Sequence, residues 1–243
     1  MTVSFLSSAV HHAAPPPARE PVAPSSAAGL ADEWRTLLLP PRLLAALPRL
    51  VRQPRGDGAA VVDVPGWKAP EASMAPLRGY LRALGHDARG WGLGTNTGDP
   101  ERDAPVLAAQ VERVADETGR PVALVGWSLG GVVAREAARQ VPHAVRRVIT
   151  YGTPVVGGPS YTLGASAYGP AECARIDALL RELDRTDPIT VPITAIFTRR
   201  DRVVDWPACL DRTSADVEHV EVRSTHLGMG LDPAVWTVVA GRL

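Results

Sequence analysis

The chain has 243 residues, 45% of them hydrophobic and 21% charged, with Lys+Arg and Asp+Glu equal at 26 each. That length suits one domain with a sizeable core. A formal net charge of zero removes the electrostatic case for nucleic acid or an anionic surface as a partner.

Two cysteines, Cys173 and Cys209, are too few for a disulfide framework, and leave one bridge or two free thiols open. No apolar run approaches the ~20 residues of a transmembrane span. The short apolar patch near the start has no Lys or Arg before it, unlike a secretory signal. A cytoplasmic location is the expectation.

Residues 1–28 are rich in Pro, Ala and Ser, including Pro15-Pro16-Pro17. Such composition buries too little apolar surface to offset ordering entropy, so a disordered tail is predicted. Residues 29–55 form an N-terminal helical segment. Leucines recur at helical spacing in EWRTLLLPPRLLAALPRLVR, and Pro40, Pro41 and Pro48 divide it into short helices on the domain's flank. A helix lying on a membrane surface is the alternative, because arginines face leucines there.

From residue 56 to 243 the pattern becomes regular. AAVVDV (59–64) reads as a buried strand ended by Pro65-Gly66, and 71–84 as a helix. Residues 88–91 are a short strand followed by loop chemistry in WGLGTNTGD. Residues 103–118 form an amphipathic helix with Val106, Leu107, Val111, Val114 and Ala115 on one face. PVALVGW is a strand, LGGVVAREAARQV a helix, VRRVITYG a strand, and Thr153 to Pro170 a Gly- and Pro-rich stretch. A helix over 172–185, strands over 191–198 and 217–223, and a closing helix over 233–242 complete the series. Short apolar strands alternating with helices specify an α/β fold, a mostly parallel sheet of about six strands covered on both faces. In such sheets ligands bind beyond the carboxyl ends of the strands.

Gly126-Trp127-Ser128-Leu129-Gly130 fits the G-x-S-x-G pattern of a nucleophile held on a sharp strand-to-helix turn. The bare pattern is common; here it lies between a strand and a helix, the context it requires. A serine hydroxyl needs a base. His11 and His12 lie in the tail, His86 and His143 at the wrong ends of strands, and His219 inside one. His226, in STHLGMG, follows the last strand at the correct edge. An acid must orient that histidine. Asp201 follows the strand 191–198, with Asp205 as runner-up; Asp187, Asp211 and Asp216 suit solvated or capping roles. Of the two oxyanion donors needed, one is the Leu129 amide and the other comes from Pro65-Gly66-Trp67. Pro65 has no N–H, and position favours Trp67 over Gly66.

Trp67, Trp91, Trp127, Trp206, Leu227 and Met229 fall near strand carboxyl ends. If they converge they line an apolar acyl pocket; core packing is the competing reading for each tryptophan. There is no H-E-x-x-H and no Cys/His cluster with metal spacing, so neither metal nor organic cofactor is expected.

VVDVPGW, VGWSLGG, FTRRDRVVDW and STHLGMG, in that order, resemble the alpha/beta-hydrolase superfamily from about Gly56 to Leu243. GDGAAVVDVPGW, LGHDARGWGLGTNTG and VGWSLGGVVARE are similar to bacterial esterase- or lipase-like members. The resemblance implies Ser128, Asp201 and His226 as a catalytic triad and Trp67 and Leu129 as oxyanion donors. The oxyanion loop departs from the frequent His-Gly by having Pro65-Gly66. The usual first two strands and the large helical cap are not evident, leaving Thr153–Pro170 and the helix after it to cover the site. Ester hydrolysis of an apolar acyl substrate through an acyl-enzyme is the leading expectation. Thioester hydrolysis or acyl transfer by the same triad is the second, and a ligand-binding module with negligible turnover the third.

Overall fold

The computed structural model describes residues 19–24, 33, 36 and 39–243. Most of the expected disordered tail lies outside these. Six strands form one parallel sheet: β1 (Ala60–Val64), β2 (Asp87–Gly90), β3 (Val122–Trp127), β4 (Val145–Tyr151), β5 (Ile193–Phe197) and β6 (Val217–Glu221), in the order β2-β1-β3-β4-β5-β6. Between them run α1 (Leu39–Leu50), α2 (Ala75–Ala83), α3 (Pro100–Thr118), α4 (Leu129–Gln140), α5 (Ala165–Tyr168), α6 (Pro170–Thr186) and α7 (Pro233–Arg242).

The two-residue period of a strand sends alternate side chains to opposite faces. Ala60, Val62, Val64, Val122, Leu124 and Val148 pack with α3 and α4. Val61, Ala123, Val125, Ile149 and Tyr151 pack with α2, α7 and the end of α1. Burial on both faces explains why these strands read as continuous apolar runs.

The buried side of α3 consists of Ala104, Leu107, Ala108, Val111 and Val114. Val106, assigned to that side from its spacing, is 47% exposed. The helix also starts earlier than expected, because the Asp99 side chain accepts from the Arg102 N–H at 3.1 Å and caps it. Where the prolines predicted several short helices, Leu39–Leu50 is one helix, with Pro48 in its last turn. Pro48 deprives only the carbonyl one turn earlier of its partner, and Leu44 there is exposed to water. Among the described residues no helix is long and apolar enough to cross a membrane. Cys173 and Cys209 are both free and buried.

The strand order reverses at β1 and β3, whose carboxyl ends lie side by side. That switch point opens a crevice, and one buried ion pair fixes the helix leaving it. Arg135 of α4 meets Asp211 at 2.6 Å with both side chains almost wholly buried. Asp211 also accepts from the Thr213 and Ser214 N–H groups. Burial raises its pKa, but Arg135 and those donors outweigh this and hold it well below the usual carboxylate range. The pair's contribution is therefore present above the ordinary Asp pKa and lost only in strong acid. Arg135→Ala strands the carboxylate and should cost about 3–5 kcal/mol near neutral pH, read from urea unfolding; no change in midpoint would refute the assignment.

Candidate active site

The sequence VGWSLGG becomes a sharp strand-to-helix turn. β3 ends at Trp127, α4 starts at Leu129, and Ser128 between them has φ 52° and ψ −125°. A non-glycine residue there costs of order 1–3 kcal/mol and persists only where its surroundings over-determine it. They do so here through close backbone contact. A Cβ on Gly126 would sit 2.4 Å from the Gly131 Cα, and one on Gly130 2.4 Å from the Val64 and Pro65 carbonyl oxygens. The Ser128 N–H donates to the Tyr151 carbonyl at 2.9 Å, tying the turn to β4.

His226 enters from the loop after β6. Its Nε2 lies 3.1 Å from Ser128 Oγ and its Nδ1 2.7 Å from Asp201 Oδ2. With Nδ1 protonated, the ring donates to Asp201 and leaves Nε2 to accept the serine hydroxyl proton. The other Asp201 oxygen accepts from the Val203 and Val204 N–H groups at 2.9 and 2.8 Å, which fixes the carboxylate. Asp205, the runner-up, is turned away and forms a forked ion pair with Arg19 at 2.6 Å.

Sequence reasoning missed Glu33. Buried at 7% exposure, its carboxylate accepts from the backbone N–H groups of His226 and Leu227 at 3.1 and 3.0 Å. Thr36 touches Thr225 through its hydroxyl, and the Leu39 side chain lies against Gly228. Glu33, Thr36 and Leu39 therefore clamp the histidine loop. No local signal marks Glu33, since its partners are almost two hundred residues away. Burial alone would lower the His226 pKa, but Asp201 and Glu33 more than offset it, and the pKa is raised above the ordinary value.

Asn96, at the centre of the GTNTG loop, was also missed. Fully buried, it donates through its side chain to the Pro65 carbonyl at 2.8 Å. Its backbone carbonyl accepts from Lys68 N–H and its N–H donates to the Ala69 carbonyl. Asn96 thereby braces the loop carrying Gly66 and Trp67 against Ser128.

A cavity of ≈ 140 Å³ opens on Ser128 and His226, lined by Gly66, Trp67, Trp127, Leu129 and Leu227 among others. Pro154, Pro159, Thr162, Gly164 and Tyr168 cover it from the Gly- and Pro-rich stretch after β4. Three expected pocket residues lie elsewhere. Trp91 is fully buried under α3 and donates to the Gly94 carbonyl, because β2 ends with that side chain facing the core. Trp206 stacks on Phe197 at 5.8 Å, with the Arg199 guanidinium over its ring. Met229 is fully buried in the cluster with Leu50, Met74 and Tyr151.

A doubly wound parallel sheet with a serine on the strained turn after β3, beside a carboxylate-supported histidine, defines a hydrolase-type scaffold. The chain belongs to the alpha/beta hydrolase family, whose model matches residues 61–241. It is 31% identical over 172 residues to a pimeloyl-[acyl-carrier protein] methyl ester esterase of Aromatoleum aromaticum, covering 69% of this chain and 66% of that protein. A protein of the same name from Aliivibrio salmonicida is 34% identical over 40% of this chain and 37% of its own length. The chain thus spans no more than about two thirds of these relatives. Among solved structures, a chain from the work on LipS and LipT, two metagenome-derived lipolytic enzymes, shares the fold with a TM-score of 0.58 and 17% identity. That match covers 78% of this chain and 93% of the other. Aspergillus fumigatus lipase B gives the same TM-score at 18% identity, over 76% of this chain and 53% of its own.

Replacing Glu33 by Gln removes a charge that raises the His226 pKa and supplies a poorer acceptor to two backbone donors. The acid limb of the kcat/KM–pH profile should move to lower pH, and stability should fall by about 1–3 kcal/mol. An unmoved acid limb would exclude an electrostatic role for Glu33.

Proposed function

We propose that the protein is a serine hydrolase of carboxylic esters with an apolar acyl group. The observation that carries the reading is the hydrogen-bonded line from Ser128 through His226 to Asp201, opening on a small, mostly apolar cavity. The names of the curated relatives, methyl ester esterases, point the same way.

In this reading His226 Nε2 takes the hydroxyl proton as Ser128 Oγ attacks the acyl carbonyl carbon. The tetrahedral oxyanion is held by the backbone N–H groups of Leu129 and Trp67. Asp201 stabilises the imidazolium without taking its proton. On collapse the carbon–oxygen bond to the alcohol breaks, and the alcohol leaves with the proton from His226. A water molecule, deprotonated by the same nitrogen, then attacks the acyl-enzyme, releasing the acid and restoring the serine. The raised His226 pKa has a sign that can be checked: the base is lost by protonation as pH falls through that value, so activity should decline on the acid side at a pH above that expected for an ordinary histidine.

Labelling with a fluorophosphonate probe tests the nucleophile, since such probes react with serines already activated by a base and oxyanion donors. The native chain should label and Ser128→Ala should not, with p-nitrophenyl ester hydrolysis lost in parallel by several orders of magnitude. Thioesters in the same screen decide between ester and thioester preference. A folded native chain that neither labels nor hydrolyses any ester would overturn the proposal in favour of a binding module.

A further inference from the structure

A second cavity, of ≈ 300 Å³, adjoins the one at Ser128. Leu129, Val132, Glu136 and Gln140 line it from α4, and steps of three and four residues place them on one helix face. Ile176, Leu179, Leu180 and Leu183 line it from α6 at the same kind of spacing. These four form the apolar stripe of α6, yet none is fully buried. In a closely packed helix pair such stripes interdigitate, with axes about 8–10 Å apart. Here the space between them is open, whereas protein interiors contain few voids larger than a water molecule.

Ion pairs span this gap near the two ends of α6, while Ile176 and Leu180 lie against Gly158 in the turn after β4. Arg175 of α6 reaches Glu101 at the start of α3, and Arg139 of α4 meets Asp184 of α6 at 2.8 Å. Leu129, Pro159 and Tyr168 line both cavities, so the second begins at the residue next to Ser128. At the α-helical rise of ~1.5 Å per residue, the face from Leu129 to Gln140 runs about 16 Å.

We propose that the space between α4 and α6 is the acyl-chain site. An uncharged aliphatic acyl chain passes Leu129 and Tyr168 and lies along α4, with its carbonyl at Ser128. This deepens the ester-hydrolase reading and rests on it. Two features specify the ligand. An engineered apolar cavity of about 150 Å³ takes up benzene, so ≈ 300 Å³ suits on the order of ten carbon atoms. The lining includes no Lys or Arg, and its two carboxylates, Glu101 and Glu136, are paired with Arg175 and Arg139. No cation lines it to pair with an acidic chain end, and its own carboxylates oppose one, which selects a neutral chain.

The test compares p-nitrophenyl acetate, butyrate, octanoate and decanoate on the native chain, Leu180→Trp and Leu180→Ala, with circular dichroism to verify folding. Each buried methylene is worth about fourfold, so native kcat/KM should rise from butyrate to octanoate by up to about two orders of magnitude. Leu180→Trp should abolish that rise, lowering octanoate hydrolysis far more than acetate hydrolysis; Leu180→Ala should extend the preference towards decanoate. A flat native series would overturn the assignment. So would a Trp variant that lowers acetate and octanoate equally, or one that alters dependence on the alcohol instead. If no ester is cleaved, the hydrolase reading itself fails, and the chain site is read separately by calorimetry of methyl decanoate with Ser128→Ala. Binding weakened about tenfold by adding Leu180→Trp supports the site; equal binding refutes it.

Discussion

The backbone of Ser128 is the constraint on which the rest of the site depends. Its left-handed φ is unfavourable in isolation, and it holds because the first turn of α4 is pressed against the carboxyl ends of β1 and β3. Contacts of that closeness need hydrogen in place of side chains at Gly126 and Gly130, which lie against the Gly131 and the Val64–Pro65 backbone respectively. The same compression aims the start of α4 at the Ser128 hydroxyl, where the N–H groups of a helix's first turn favour developing negative charge. Local strain and the electrostatics of the proposed oxyanion site are two consequences of one close approach.

Around that turn, buried charge is handled consistently. Asp201 is enclosed but fully engaged, with one oxygen on the His226 ring and the other on two backbone donors. Glu33 is enclosed and engaged in the same manner, with both oxygens on the backbone of the histidine loop. A buried carboxylate is tolerable only when its lone pairs are satisfied and a compensating positive charge can form nearby. An imidazolium at His226 would meet that need for both. Glu33 thus supplies the second carboxylate from outside the stretch matched by the family model.

The covering elements follow a different logic. The stretch after β4 folds over Ser128 in short turns, and arginine pairs tie α6 to the start of α3 and to the end of α4. Among the described residues, α5, α6 and the turns before them shape the apolar space. A helix tied by ion pairs near both ends, with its apolar stripe only partly packed, leaves an open volume beneath it.

Much of this was legible from residues alone. Alternating apolar strands and helices determined a doubly covered parallel sheet, because both patterns follow from backbone geometry over a few residues. Ser128, His226 and Asp201 could be selected because each sits at the carboxyl end of a strand, a position set by local chain order. Only the tertiary structure decided what depends on contacts between distant segments. Glu33 and Asn96 carry no local signature, since their roles come from partners that folding brings to them. Trp91, Trp206 and Met229 share the strand-end position that suggested a pocket, yet face the core or its flank, because side-chain direction is set by packing rather than by place in the chain. The gap beneath α6 belongs to the same class: the apolar stripe of α6 is written in the sequence, but whether it meets the facing side of α4 or stands apart from it is settled by everything that holds the helices in place.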